Sequence, residues 1–107
     1  LKPVSMTRQP VETIDLAELR HAIRDRRKVA ITYVDAQGAV SERVIWPIFI
    51  AYMDVVRIVA AWCEARQDYR HFRTDRLQRI SPTDSTYPSS RRDLLRDWKA
   101  RNAIPLP

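Results

Sequence analysis

Glycine is nearly absent from this sequence: Gly38 is the only one in 107 residues. A chain with one glycine cannot form a GxGxxG dinucleotide loop or a Walker phosphate loop, so nucleotide-dependent group transfer of those types is excluded. Cysteine is equally scarce. Cys63 alone cannot close an intramolecular disulfide, which argues against a secreted, cross-linked scaffold. The soft metal ligands are His21, His71 and Cys63, without the paired spacing that zinc requires. Cys63 itself falls on an apolar strand pattern, where it reads as a small core filler and not as an activated thiolate. No metal, cofactor or enzymatic reaction is therefore expected. There is also no run of about 18 apolar residues, and residues 1–10 lack the apolar stretch of a signal peptide, so no membrane partner and a cytoplasmic location are expected. A start at Leu1 in place of Met points to upstream sequence that has been removed.

What is present is charge, mostly arginine. Lys2, Lys28 and Lys99 are the only lysines among 19 basic residues, and 13 acidic residues leave a formal net charge of +6. A basic excess favours anionic partners, and the planar guanidinium fork suits bidentate contacts to phosphates and base edges. The bland alternative is a solvated basic face. Hydrophobic residues at 45% and charged residues at 30% match an ordinary folded domain, and this length suits one core.

Residues 1–14, with Pro3 and Pro10, read as a linker or inter-domain arm. Asp15 and Glu18 then have capping-box spacing, and Leu16, Leu19 and Ile23 recur at helical intervals, predicting a helix over about 15–27. At Val29 the period shortens to two, with Val29, Ile31 and Tyr33 on one strand face. Asp35-Ala36-Gln37-Gly38 supplies a hairpin turn, and a return strand is expected from Val40 to Trp46. Pro47 lacks an N–H and is expected to interrupt the ladder, leaving 48–53 as a bent or edge strand. Residues 55–63 are apolar on both faces, as in a central strand. A turn at 65–68 leads to a strand over 69–74, and 76–81 closes the sheet. Residues 82–88 read as a polar loop, the final helix spans 90–102, and 103–107 form a tail. The expected class is α+β: a strongly bent antiparallel sheet or partly open barrel of about five strands, flanked by an N-terminal and a C-terminal helix.

The most distinctive stretch is 62–77, where aromatics and arginines interleave across one hairpin. Alternation places Tyr69, His71 and Arg73 on one face and Arg70 and Phe72 on the other, unless a bulge near Asp68 exchanges them. Such a surface suits stacking on bases and pairing with phosphates, while core rings beside solvated arginines explain it equally well. Asp75 and Arg76 beside Arg73 suit a structural ion-pair cluster as readily as a ligand clamp, with Asp75 mainly structural and Arg73 placed to face a pocket. Tyr33 and Arg43 are further candidates on neighbouring strands.

Ile31-Thr32-Tyr33, Arg43, Trp46-Pro47, Ala61-Trp62 and above all the run Phe72-Arg73-Thr74-Asp75-Arg76-Leu77 resemble the WYL-domain regulators of bacteria. In these a winged helix-turn-helix precedes a WYL effector domain. The resemblance covers about residues 15–102. It departs at the name motif, where Trp62 is followed by Cys63-Glu64 in place of Tyr-Leu, so only Trp62 carries over. The resemblance implies an Sm-like, SH3-type barrel and a sensory role in which single-stranded nucleic acid or another anionic ligand modulates an attached DNA-binding domain. No helix-turn-helix precedes Asp15, so that reader is expected outside this chain. The expected ligand-binding set is Tyr33, Arg43, Trp62, Arg70, His71, Arg73 and Arg76, with ligand shifting a dimer or inter-domain equilibrium. A stand-alone Sm-like nucleic-acid-binding module and a structural dimerisation domain remain open alternatives.

Overall fold

In the computed structural model, residues 13–101 are described. The expectations for an N-terminal arm and a C-terminal tail fall almost wholly outside that range. Helix α1 (Leu16–Arg24) is capped by Asp15, whose carboxylate accepts from the Ala17 N–H. It ends earlier than the sequence predicts. Arg26 adopts a left-handed backbone (φ 55°) just past the helix, and its guanidinium donates to the carbonyls of Tyr87 (2.7 Å) and Ser89 (3.2 Å), tying the helix exit to a loop 61 residues away.

Five strands follow: β1 (Arg27–Val34), β2 (Val40–Met53), β3 (Val56–Cys63), β4 (Asp68–Arg73) and β5 (Leu77–Thr86). A 3-10 turn, Thr74–Arg76, joins the last two, and α2 (Arg91–Arg101) closes the described chain. The strands form one antiparallel sheet in the order β4-β3-β2-β1-β5, so the architecture is α+β as expected. Gly38 has φ +85° in the β1–β2 turn, where the Asp35 carboxylate accepts from the Gln37 and Ala39 N–H groups at 2.9 Å.

Proline does not break the sheet where the sequence suggests. Pro47 lies within a continuous β2, at a register shift between Pro47 and Phe49 that accommodates its missing N–H. Pro82 lies within β5, opposite Val29. Because β5 is an edge strand, a residue without a donor is tolerated there, and the expected polar loop is largely strand.

The sheet is strongly curled. In a flat sheet β1 and β4 would stand roughly 14 Å apart, three strand spacings, yet the rings of Tyr33 and Phe72 meet edge-on at 5.0 Å. The Tyr33 hydroxyl accepts from the Arg73 N–H at 3.1 Å, fixing the closure. Inside the curl, Val29, Ile31, Ile45, Val59, Ala61, Cys63, Phe72 and Leu77 are buried, and α1 covers them with Leu19, Ala22 and Ile23. The outer face carries a second cluster of Ile48, Tyr87, Leu94 and Trp98, flanked by Trp46, Phe49, Tyr69 and Leu95, under α2.

Candidate ligand-binding site

The β3–β4 register runs without a shift from Ile58↔Arg73 to Cys63↔Asp68, so the alternation along β4 holds. It splits the residues singled out above between the two faces of the sheet.

On the inner face, Tyr33 is buried and serves the closure just described. Arg43 sits opposite Ile31, at the rim of the core. Its Nε donates to Ser41 Oγ at 3.1 Å, one terminal nitrogen approaches Cys63 Sγ at 3.6 Å, and its guanidinium lies 5.8 Å from the centre of the Phe72 ring. Arg43 also lines a groove of about 410 Å3 with Ala30, Ile31, Glu42, Val44, Glu64 and Ala65. Arg70, two residues before Phe72 on the same face of the edge strand, is exposed and pairs across to Ala61. Neither Arg43 nor Arg70 is in an ion pair with any described residue.

Arg73 differs from them. Its fork is already engaged by Asp75, Nε to Oδ1 at 3.0 Å and the terminal nitrogen to Oδ2 at 2.7 Å. That bidentate contact holds the Asp75 carboxyl below the usual carboxylate range and raises the guanidinium above its own, and the nearby charge of Arg76 adds to the effect on Asp75. Asp75 is therefore paired with Arg73, as the sequence suggests for this cluster. Arg76 lies in the same 3-10 turn, half-buried.

Trp62 and His71 belong to the outer face, together with aromatic residues that were not among the expected site residues. Cross-strand registry lines up Trp46, Trp62 and Tyr69 over β2, β3 and β4, with ring centres 6.0 and 5.1 Å apart. Lys28 stands 5.2 Å over Trp46 at one end, and Arg101 stands 5.6 Å over both Trp62 and Tyr69 at the other. Tyr87 stacks on Trp46 at 5.7 Å with planes 8° apart. The polar tips of Trp46, Tyr69 and Tyr87 are satisfied. Trp46 Nε1 donates to Glu64 at 2.8 Å, which with Lys28 pulls the Glu64 pKa down. Tyr69 donates to Asp97 at 2.7 Å; burial and this carboxylate push the phenol up, while the bond pulls Asp97 down. Trp98 Nε1 donates to His71 Nε2 at 3.1 Å, and desolvation lowers the His71 pKa.

The structure thus gathers Tyr33, Arg43 and Arg70 on the inner face, places Trp62 and His71 on the other side of the same strands, and leaves Arg73 at the end of β4 on the His71 side, next to the 3-10 turn that holds Arg76. The outer stripe was legible only in part, because pairing Trp46 with Trp62 needs the β2–β3 register across a proline.

Comparison with known proteins agrees with the resemblance noted from the residues. The family model described as "WYL domain" matches residues 15–82. Among solved structures, proteasome accessory factor B/C (PafBC) of Arthrobacter aurescens is similar, with 28% sequence identity and a TM-score of 0.65. The match covers 70% of this chain and 12% of that one, so it concerns one part of a much longer protein. No curated protein matches the chain. With the family model spanning well over half of its residues, the chain belongs to the WYL-domain family.

Proposed function

We propose that the chain is the ligand-sensing effector domain of a transcription regulator, taking an anionic ligand, with single-stranded nucleic acid as the leading class. One observation carries this reading. The Arg43 guanidinium reaches across two strands to the Phe72 ring, and Arg70 stands two residues from Phe72 on the same face, both cations without a carboxylate partner. Two unpaired guanidiniums on one face of the sheet suit a phosphodiester better than a solitary charge would. The Arg73 guanidinium is already engaged by Asp75, which leaves it less available to a phosphate than Arg43 and Arg70. Nothing in this role requires a reaction. Family membership supplies the regulatory context: the ligand shifts the balance between two arrangements of this domain and an attached DNA-binding domain or a second copy, which requires unequal affinity for the two.

A second reading, direct single-strand binding with no switching role, is favoured by the outer Trp46-Trp62-Tyr69 stripe and its flanking Lys28 and Arg101. The cations there are already paired, Lys28 with Glu64 and Arg101 with Asp68 and Asp97, which weakens the case for phosphate contact on that face.

Fluorescence anisotropy of a labelled single-stranded oligonucleotide across a salt series tests both. The expected result is saturable binding that prefers single strands to duplex and falls steeply with salt. Arg43→Ala with Arg70→Ala is expected to weaken it by about tenfold or more and to flatten the log–log salt slope by roughly 0.7 per lost phosphate contact. Undiminished affinity in that double variant, with loss in Trp62→Ala, would move the site to the outer face.

A further inference from the structure

A second groove, of about 600 Å3, opens between α1, α2 and the bend of β2. Its size falls within the range of small-molecule sites. Ile23 of α1, Ile48 and Phe49 of β2 and Leu95 of α2 form its floor, and Arg20, Arg91 and Lys99 stand on its walls. No carboxylate lines it, and none of these three cations is in an ion pair with a described residue. Arg91 and Lys99 are eight residues apart on one helix, about 12 Å along its axis, too far for one compact oxyanion to bridge. Trp98 meets Phe49 edge-on at 5.2 Å, so the floor presents packed hydrocarbon and ring edges in place of an open stacking platform.

We infer that this groove is a separate binding site for an organic carboxylate with an apolar body, of the medium-chain or aryl acid class. The body lies on Ile48, Phe49 and Leu95, and the carboxylate is taken by a cation on the wall, Arg20 from α1 or Lys99 from α2. An occupant touching both helices would fix their relative position across the sheet, independently of any ligand at Arg43 and Arg70.

Displacement of the amphipathic fluorophore 8-anilinonaphthalene-1-sulfonate tests this, with octanoate and octan-1-ol as competitors. Octanoate is expected to displace the probe saturably and at least about tenfold more effectively than the alcohol, a comparison that needs no variant. Arg20→Gln with Lys99→Gln, both exposed positions, is expected to remove most of that preference, while Arg43→Ala with Arg70→Ala leaves it unchanged. Equal competition by acid and alcohol, or no displacement by millimolar octanoate, would overturn the assignment. So would displacement by a single-stranded oligonucleotide, which would join the groove to the nucleic-acid surface. Sedimentation showing a dimer that Leu95→Arg dissociates and octanoate does not would give the groove to a second copy.

Discussion

The two layers on either side of the sheet are built on different principles. The inner layer is almost entirely aliphatic, with Leu19, Val29, Ile45, Val59 and Cys63 fully buried and no polar tips to satisfy beyond the Tyr33 hydroxyl. The outer layer is aromatic, and its rings are anchored by directional bonds: Tyr87 to the Pro47 carbonyl, Tyr69 to Asp97, Trp46 to Glu64 and Trp98 to His71. A layer held by area responds chiefly to volume, whereas one held by bonds to titratable groups responds also to pH and to ligands. This makes the α2 side the adjustable part of the domain and the α1 side its frame.

The largest effect should come from the frame. Ile45→Ala removes a fully buried side chain between β1 and β3 and is expected to cost about 2–5 kcal/mol, measured by urea unfolding, because five strands and α1 cannot collapse around the void together. A loss no greater than that of Leu94→Ala on the α2 side would erase the distinction between the layers. Next, Tyr87→Phe keeps the buried ring and its stacking on Trp46 but leaves the Pro47 carbonyl without its 3.0 Å donor, and should cost about 1–3 kcal/mol. Asp75→Asn should cost less, about 1 kcal/mol, since the Arg73 side chain is 33% exposed and water screens the pair. The Asp75 contribution is present above the usual carboxylate value of 3.8 and is lost as pH falls through its lowered folded value, so the variant should also flatten the acid limb of the stability profile.

Local patterns made much of this molecule readable. Alternation in β1 put Val29, Ile31 and Tyr33 inside, Gly38 marked its hairpin, two-sided apolarity placed β3 as an interior strand, and Asp15 and Ser90 cap the two helices. Long-range features were not. Pro47 and Pro82 look like breakers until their partners are known, because a bulge and an edge position decide whether a missing N–H matters. Helix α1 stops short of the predicted end, where Arg26 turns left-handed and meets Tyr87 and Ser89 far along the chain, a contact that local pattern does not show. For the candidate site, residue types were legible but not their sides. Period-two alternation separates Trp62 and His71 from Phe72, yet only the curl brings Arg43 to Phe72, and only the 3-10 turn gives Arg73 to Asp75.

The smallest effect is the sharpest test of the adjustable layer. His71 Nε2 accepts from Trp98, so protonating that nitrogen turns an acceptor into a second donor and breaks the bond. Its folded pKa lies below the ordinary 6.5, hence the unfolded chain binds the proton more readily and stability is lost as pH falls below 6.5 towards the folded value. His71→Gln keeps a side-chain acceptor for Trp98 and does not titrate. Relative to it, the wild-type chain should lose stability as pH falls below 6.5, by a small amount because His71 is solvent-exposed and water screens its charge. The same window should show the Trp98 indole signal move in the wild type and stay fixed in the variant. Parallel stability profiles for the two proteins would mean that the His71–Trp98 bond contributes nothing to holding α2, and that the outer layer rests on ring packing alone, as the inner one rests on aliphatic packing.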